Sequence, residues 1–329
     1  MQAFPKSAMI GNMEKPYYSL DDYFKQTYGE KCYKIAIDAG LSCPNRDGRL
    51  SYGGCTFCSA GGSGDFAIPA SVGSIQNQIN AGLSLFREKK VGNRFVAYYQ
   101  AYTNTYGELP VLERLYREAL SHPQIMGISI ATRPDCLPEP VLDLLERLGR
   151  EYSPKFIWIE LGLQTCHDHT AVQINRGYPL AVFDNAMRNL QARSIPVIVH
   201  VILGLPGESP EDMYETVRYL NRFSPFGVKL QLLHILKDTR LGMEYTRDHS
   251  VLHVLDLGEY VDIVIHCLEL LDPRTVIHRL TGDGPKDLLL APLWSLNKRN
   301  VLNTLHNTLK ERKTYQGRCY KNAGTADSL

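Results

Sequence analysis

The chain has 329 residues, of which 44% are hydrophobic and 22% charged, as in a globular protein large enough to bury a substantial core. Its 36 Lys and Arg nearly balance its 35 Asp and Glu, so the net charge of +1 gives no general attraction for nucleic acid or membrane. No apolar run reaches the roughly 18 residues of a membrane span. Residues 1–15 also lack the apolar core of a secretion signal. We therefore expect a cytoplasmic protein without membrane contact.

Short β-branched runs alternate with longer helical stretches, which indicates βα units and a parallel sheet. The predicted strands are Tyr33–Asp38, Arg94–Gln100, Met126–Thr132, Phe156–Gln164, Pro196–Leu203 and Val228–Leu236. The predicted helices cover 72–90, 109–121, 138–150, 169–193 and 210–222. Ser209, followed by Glu211 and Asp212, is a capping signal for the last of them. Six such units predict an α/β fold, a partial (β/α)6 TIM-type barrel with its functional residues at the C-terminal ends of the strands.

The alternation changes after about residue 245, where helices are predicted at 256–271 and 297–312. We divide the chain into an N-terminal segment (1–30), a barrel (31–245) and a C-terminal helical extension (246–329). Residues 297–321, the basic tail, carry seven Lys or Arg and one acid, Glu311, which gives a local charge of +6. The basic tail is either a contact for an anionic partner or a solvated helix face.

A glycine-rich loop after the first predicted strand contains Cys43, Cys55 and Cys58 with the spacing C-x11-C-x2-C. Thiolates are soft ligands that select zinc, copper(I) or iron–sulfur clusters. A fourth cysteine, Cys32, would complete a structural zinc site. We exclude it because it lies at the opposite end of the first strand, about 20 Å from the loop. Three thiolates leave one iron of a cluster open for chemistry.

The phrase DAGLSCPNRDG…GGCTFCS resembles the radical S-adenosylmethionine (radical SAM) superfamily, in particular the Elongator-type branch with the YtqA/YhcC-like bacterial proteins. The resemblance covers roughly residues 17–300. It implies a 4Fe–4S cluster held by Cys43, Cys55 and Cys58, with S-adenosylmethionine (SAM) on the open iron. An external electron donor of the flavodoxin or ferredoxin type would drive cleavage of SAM to methionine and a 5′-deoxyadenosyl radical.

Three downstream motifs, ELGLQT, VHVILGLPGES and INRGY, resemble segments that contact SAM in this superfamily. The predicted cofactor-binding residues follow successive strands: Gln100, Thr103, Asn104, Ser129, Arg133, Glu160, Gln164, Arg176, His200, Gly204 and Leu236. Arg133 is equally well explained by a loop salt bridge, and His200 by a satisfied core histidine. The run TCHDHT (residues 165–170) offers either a helix cap or a second metal site. No side chain is assigned as catalytic.

For the YtqA-like group, the resemblance implies modification of the tRNA wobble uridine. The side chain would be converted from 5-carboxymethylaminomethyl to 5-aminomethyl, and the basic tail would contact the tRNA. Two alternatives remain open. One is a radical SAM enzyme that acts on a small molecule or peptide, and the other is a non-catalytic zinc or iron–sulfur module that binds RNA.

Overall fold

The computed structural model describes residues 15–86 and 92–321. Three predicted features lie partly outside the described residues: the N-terminal segment, helix 72–90 and the C-terminal extension. The chain divides into two compact units. Of the described residues, the cysteine-loop unit comprises 24–86, 92–162 and 177–197, and the C-terminal unit comprises 15–23, 163–176 and 198–321. These units group residues that pack together and do not test the predicted domain boundaries after residues 30 and 245, which stay predictions.

The described residues form α-helices and β-strands that follow one another along the chain with short connections. In chain order they are α1 (Leu20–Tyr28), β1 (Tyr33–Ile37), α2 (Ile75–Ser84), β2 (Phe95–Tyr99), α3 (Leu109–Leu120), β3 (Ile125–Thr132), α4 (Glu139–Glu151), β4 (Phe156–Gln164), α5 (Asp168–Gln173), α6 (Leu180–Ala192), β5 (Val197–Leu203), α7 (Pro210–Asn221), β6 (Gly227–Leu232), β7 (Ile235–Leu236), α8 (Arg240–Arg247), α9 (Leu257–Leu270), β8 (Val276–Arg279), β9 (Leu289–Ala291) and α10 (Lys298–Glu311).

In the cysteine-loop unit, strands β1, β2, β3 and β4 are neighbours in that order and run parallel. Every residue of β2 is buried, as expected for a parallel strand covered on both faces. Because side chains alternate along each strand, the register places five large or polar side chains on one face of this sheet. They are Lys34, Tyr98, Ser129, Trp158 and Glu160.

In the C-terminal unit, β5, β6 and β8 are neighbours in that order and run parallel, while β7 and β9 form an antiparallel pair. Strands β8 and β9 lie between the two helices that were predicted for the C-terminal extension, which the structure shows as α9 and α10, and no strand was predicted there. They contain four and three residues, too few for a strand period to show in the sequence. Strand β8 is also fixed by the chain before α1, because Ile277 N donates to Tyr18 O at 2.7 Å.

Two predicted elements are interrupted. The predicted helix 169–193 is two helices, because Asn175 (φ +53°) and Gly177 (φ +83°) adopt left-handed conformations and Pro179 precedes α6. The predicted strand Val228–Leu236 ends at Leu232 and resumes as β7. The predicted cap of α7 is confirmed. The Ser209 side chain accepts from Asp212 N, and Ser209 N donates to Asp212 Oδ2 at 2.7 Å. Among the described helices, none combines the length and apolar character that crossing a membrane requires.

Candidate functional site

The cysteine loop, residues 39–67, is shaped by its own backbone turns. Arg46 N donates to Cys43 O at 2.8 Å, and Cys58 N donates to Cys55 O at 3.0 Å. Gly54 has φ +84°, and a Cβ on it would lie 2.9 Å from Arg46 Nε. Only glycine allows the backbone to pass this close to Arg46. The turns therefore bring the segment around Cys43 next to the segment that carries Cys55 and Cys58.

The three loop cysteines are partly exposed free thiols. Burial of its sulfur, together with the neighbouring Cys58 and Cys43, raises the pKa of Cys55 to about 12. Cys58 and Cys43 thus both lie close enough to Cys55 to disfavour its thiolate. Asn45 Nδ2 donates to Cys55 Sγ at 3.7 Å, which favours the thiolate. Loading all three thiolates requires added positive charge, which a metal centre supplies.

Two arginines supply positive charge beside these sulfurs. Arg46 Nη2 donates to the carbonyl oxygens of Cys58, at 2.8 Å, and Ser59. Although burial disfavours its charged form, Cys58 and Cys43 hold the pKa of Arg46 above its usual value. Arg133 lowers the pKa of Cys55 through its charge, against the effect of burial. Three soft thiolates with two nearby guanidinium groups are a donor set that fits an anionic iron–sulfur cluster.

Two of the three predicted residues after β2 contact the cysteine loop. Gln100 Nε2 donates to Ser63 O at 2.7 Å, and Thr103 N donates to Ser42 O at 3.2 Å. Asn104 is fully buried, and its Nδ2 donates to the carbonyl oxygens of Tyr99, Ala101 and Ala131. Its Oδ1 has no hydrogen-bond partner within the described part of the chain. The contacts place Gln100 and Thr103 beside the loop and give Asn104 a role in holding its own turn.

Ser129 and Glu160 are brought together with a residue that the sequence did not single out, Lys34. Glu160 Oε1 accepts from Lys34 Nζ at 2.5 Å and from Ser129 Oγ at 2.6 Å. The Glu160 side chain has no exposed surface and that of Lys34 is 18% exposed. The Lys34 ammonium also lies 5.0 Å from the ring centre of Tyr98. A lysine within the apolar strand YKIAI was the available signal, but its partner depends on strand register.

Arg133 forms the loop salt bridge that the sequence left as an alternative. Its Nε and Nη2 donate to the two carboxylate oxygens of Asp135 at 2.9 and 2.8 Å. Its guanidinium carbon lies 4.9 Å from the ring centre of Tyr178. Arg133 is therefore held in place by Asp135 and Tyr178 while its charge reaches Cys55.

The C-terminal unit contains the other predicted residues. Arg176 is 1% exposed and donates to the carbonyl oxygens of Leu163 and Thr165 at 2.8 and 2.7 Å. It also pairs with Asp168 at 3.1 Å, so its guanidinium fastens the end of β4 to α5. Gln164, just before this turn, has φ +64°.

His200 Nδ1 lies 3.5 Å from Gln231 Nε2 on the neighbouring strand β6. Leu236 is buried in β7 and pairs with Leu289 of β9. Gly204 has φ +85°, and a Cβ on it would lie 3.1 Å from Leu255. It borders a shallow recess that is open to solvent and lined mainly by apolar side chains, which include Leu203, Leu233 and Leu252. The ends of β5 and β6 thus form an apolar recess in this unit.

Comparison with known families assigns the chain. Residues 45–220 match the radical SAM superfamily, and residues 225–311 match the radical SAM C-terminal domain. This chain belongs to the radical SAM superfamily. It is therefore a radical SAM enzyme, and the family implies a 4Fe–4S cluster and SAM as cofactors.

Two bacterial relatives are similar over most of their length. The uncharacterized protein YtqA of Bacillus subtilis is 40% identical over 310 residues, which cover 94% of this chain and 94% of YtqA. Protein YhcC of Escherichia coli K12 is 36% identical over 86% of this chain and 89% of YhcC. The predicted place among YtqA/YhcC-like radical SAM proteins of the Elongator-type branch is confirmed.

A solved structure shows the same fold. The archaeal Methanocaldococcus infernus Elp3, with residues 1–46 deleted, superimposes with a TM-score of 0.65 at 13% sequence identity. The match covers 87% of this chain and 64% of that one. The predicted α/β radical SAM fold is therefore confirmed.

Proposed function

We propose that Cys43, Cys55 and Cys58 hold the 4Fe–4S cluster and that the enzyme modifies the wobble uridine of tRNA. The observation that carries the cluster assignment is the position of three free thiols in one turned loop around Arg46, whose side chain donates to the carbonyl oxygens of Cys58 and Ser59. When bound, the cluster and SAM supply a 5′-deoxyadenosyl radical that removes a hydrogen atom from the substrate. Arg46 and Asn45 stabilise the thiolate charge, and Gln100 and Thr103 hold the loop against the end of β2.

The ligand assignment is tested by single substitutions in anaerobically reconstituted protein. Cys43→Ala, Cys55→Ala and Cys58→Ala should each lose the brown colour, the iron and the absorbance near roughly 400 nm. Cys32→Ala and Cys319→Ala should retain them. Cys32 is buried and its Sγ donates to Glu30 O, whereas Cys319 is exposed like an ordinary surface thiol. Loss of iron from Cys32→Ala, or one zinc per colourless wild-type chain, would overturn the assignment.

The basic tail supports tRNA as the substrate. Two of its cations are neutralised, because Lys298 pairs with Asp283 and Arg312 with Asp262. The other five are exposed and have no salt bridge to any described residue: Arg299, Lys310, Lys313, Arg318 and Lys321. Five uncompensated charges in 23 residues give a local attraction for phosphate that the net charge of the chain conceals.

This basic tail is part of the fold of the C-terminal unit. Val301, Leu305 and Leu309 are buried along one face of α10 at four-residue spacing. Gln316 is also buried, and it accepts from Tyr18 N at 2.9 Å. Removal of the basic tail would therefore expose apolar surface and confuse tRNA binding with stability. Charge-neutralising substitutions are the cleaner test.

A variant with Arg299, Lys310, Lys313, Arg318 and Lys321 all changed to Gln should bind tRNA less tightly and with a weaker dependence on salt. Each lost phosphate contact lowers the slope of log K against log salt by about 0.7–0.9. A matched control changes Lys298 and Arg312, the two paired cations, to Gln and should change the slope less. If wild type and the variant with five substitutions have equal slopes of log K against log salt, the basis for placing RNA on the basic tail is removed.

The reaction is tested by anaerobic incubation with SAM, a reductant and tRNA, followed by nucleoside mass spectrometry. The proposal expects loss of 5-carboxymethylaminomethyluridine and gain of 5-aminomethyluridine. The proposed first step is transfer of the hydrogen atom next to the amine to the 5′-deoxyadenosyl radical, which forms 5′-deoxyadenosine and a substrate radical. If tRNA fails to raise the yield of 5′-deoxyadenosine, the substrate is instead a small molecule or peptide. A flavodoxin or ferredoxin should replace the chemical reductant.

A further inference from the structure

The run TCHDHT lies at the turn between β4 and α5, where the sequence left a cap and a metal site as alternatives. His167 occupies the position before α5, but its side chain makes no capping hydrogen bond to that helix. Its ring instead lies against α7, where Nε2 is 3.8 Å from Asp212 Oδ1 and 3.8 Å from Glu215 Oε2. Asp212 and Glu215 share a face of α7 because they are three residues apart.

These three ligand atoms all lie within 4.8 Å of one another, and in the described ranges 15–86 and 92–321 no other set of three does so. In a tetrahedral site with ligand bonds of 2.0–2.2 Å, neighbouring ligand atoms are about 3.3–3.6 Å apart. The two separations from His167 Nε2, 3.8 Å each, exceed this range by a few tenths of an ångström, and the two carboxylate oxygens lie within 4.8 Å of each other. One imidazole and two carboxylates are donors that suit zinc, manganese or ferrous iron.

The surrounding contacts orient these donors. The α7 cap uses Asp212 Oδ2, which accepts from Ser209 N and Ser209 Oγ at 2.7 and 2.6 Å. This leaves Oδ1 as the oxygen that faces His167. Hydrogen bonds of this kind fix the direction of a ligating carboxylate. The His167 side chain is 15% exposed and that of Glu215 is 55% exposed, so a cation can enter from solvent.

We propose that His167, Asp212 and Glu215 form a second metal site, separate from the cysteine loop, that binds a divalent transition-metal cation and ties the start of α5 to α7. Without the cation, His167 Nε2 donates to the backbone oxygen of Asp212 at 3.0 Å. Binding moves the imidazole proton to Nδ1 and frees Nε2 as a ligand. Two carboxylates balance the charge of the cation, and water completes its coordination.

Mn²⁺ is the probe for this site in the reconstituted, cluster-loaded protein after chelation of loosely bound metal. Carboxylates and imidazole accept Mn²⁺, whereas the soft thiolates of the cysteine loop do not select it. The EPR signal of free Mn²⁺ should fall with one equivalent bound per chain, and Zn²⁺ should displace it. The melting temperature should rise in parallel, while the cluster absorbance stays constant.

His167→Ala and Glu215→Gln should each weaken Mn²⁺ binding by at least about tenfold, because the loss of an outer-shell partner alone typically costs a metal site about 10–100-fold in affinity. The matched control is Glu211→Gln on the same helix, where Glu211 pairs with Arg218 at 2.6 Å, and it should bind normally. Glu215 is exposed, so its substitution tests the site even if His167→Ala unfolds. Wild-type protein that binds no Mn²⁺ stoichiometrically, or variants that bind it as well as wild type, would overturn the proposal.

Discussion

Replacing Lys34 with Met should destabilise the cysteine-loop unit more than any ordinary loss of a surface charge. The substitution keeps an unbranched side chain of similar length but removes the ammonium that lies 2.5 Å from Glu160 Oε1. Glu160 has no exposed side-chain surface, so water cannot take the place of Lys34. Removing one partner of such a pair leaves an uncompensated buried charge.

The expected magnitude follows from burial. Breaking a buried ion pair costs about 3–5 kcal/mol. Lys34 is 18% exposed and partly solvated, so we expect the lower end, about 3 kcal/mol. For 329 residues, unfolding entropies of about 2.1 cal/mol/K per residue convert this to a fall in Tm of about 4 °C. Lys31→Met is the matched control, because Lys31 is exposed just before β1, and it should change stability by less than about 0.5 kcal/mol.

A double-mutant cycle with Glu160→Gln identifies the cause. Glu160→Gln alone should cost less than Lys34→Met, because the partly exposed ammonium can contact water. The double variant should be more stable than the sum of the two single losses predicts, since it leaves neither charge buried alone. Chemical denaturation of all four proteins gives the free energies of unfolding. Additive losses, or a Lys34→Met protein as stable as Lys31→Met, would refute the reasoning.

Three other substitutions test the C-terminal unit. Burial lowers the pKa of His234 to about 4, so the folded protein should lose up to about 3 kcal/mol as the pH falls from about 6.5 to 4. In His234→Gln, Tm should fall less than in wild type as the pH is lowered from about 6.5 to 4. An equal fall in both proteins would contradict the attribution of this pH dependence to His234. Burial raises the pKa of Glu208, so the stability associated with its protonated form is lost as the pH rises through that value. Glu208→Gln should therefore have a higher Tm than wild type at pH 7.5, and the two should converge near pH 4, whereas a constant difference would exclude ionisation as the cause. Gln316 bonds Tyr18 N and the carbonyl oxygens of Asp272 and Thr275. Gln316→Leu should lower the free energy of unfolding by about 3 kcal/mol in urea, because three buried backbone groups lose their partner.

The parallel strands β1 to β6, of five to nine residues, could be predicted from the sequence, and the shorter strands β8 and β9 could not. Strands β3 and β4 have eight and nine residues, most of them apolar and buried, and both were predicted within one residue at each end. Strand β8 has four residues, of which only Val276 and Ile277 are fully buried. Its place depends on pairing with β6 and on the contact with Tyr18, and neither is visible in local sequence.

The break between α5 and α6 is marked in the sequence by turn residues, although the apolar periodicity continues across it. Buried residues continue at helical spacing from Ala171 and Ile174 to Phe183 and Ala186, so the apolar period suggested one helix. Asn, Gly and Pro between them favour a left-handed turn followed by a new helix start. Gly177 and Pro179 are therefore stronger evidence for a break between two helices than the apolar periodicity is for one continuous helix.

At the candidate site, the cysteine spacing could be predicted because it is local, whereas the roles of long side chains could not. Arg133 and Arg176 both follow strands and both carry the charge expected of a ligand contact. The structure shows Arg133 held by Asp135, and Arg176 bonded to the carbonyls of Leu163 and Thr165. An arginine side chain is long enough to reach either a ligand or a neighbouring carbonyl or carboxylate. Which of these groups lies within its reach depends on the fold around it, and the residue type does not reveal that.

Glu160 extends the same lesson to the motif ELGLQT. A carboxylate within an apolar strand requires a partner, and a bound ligand is one candidate for that partner. Lys34 and Ser129 meet that requirement within the chain, so burial alone no longer argues for a ligand. The Lys34 and Glu160 variants therefore separate two roles: a structural pair changes the free energy of unfolding alone, whereas a ligand-facing pair also changes the affinity for SAM in variants that remain folded.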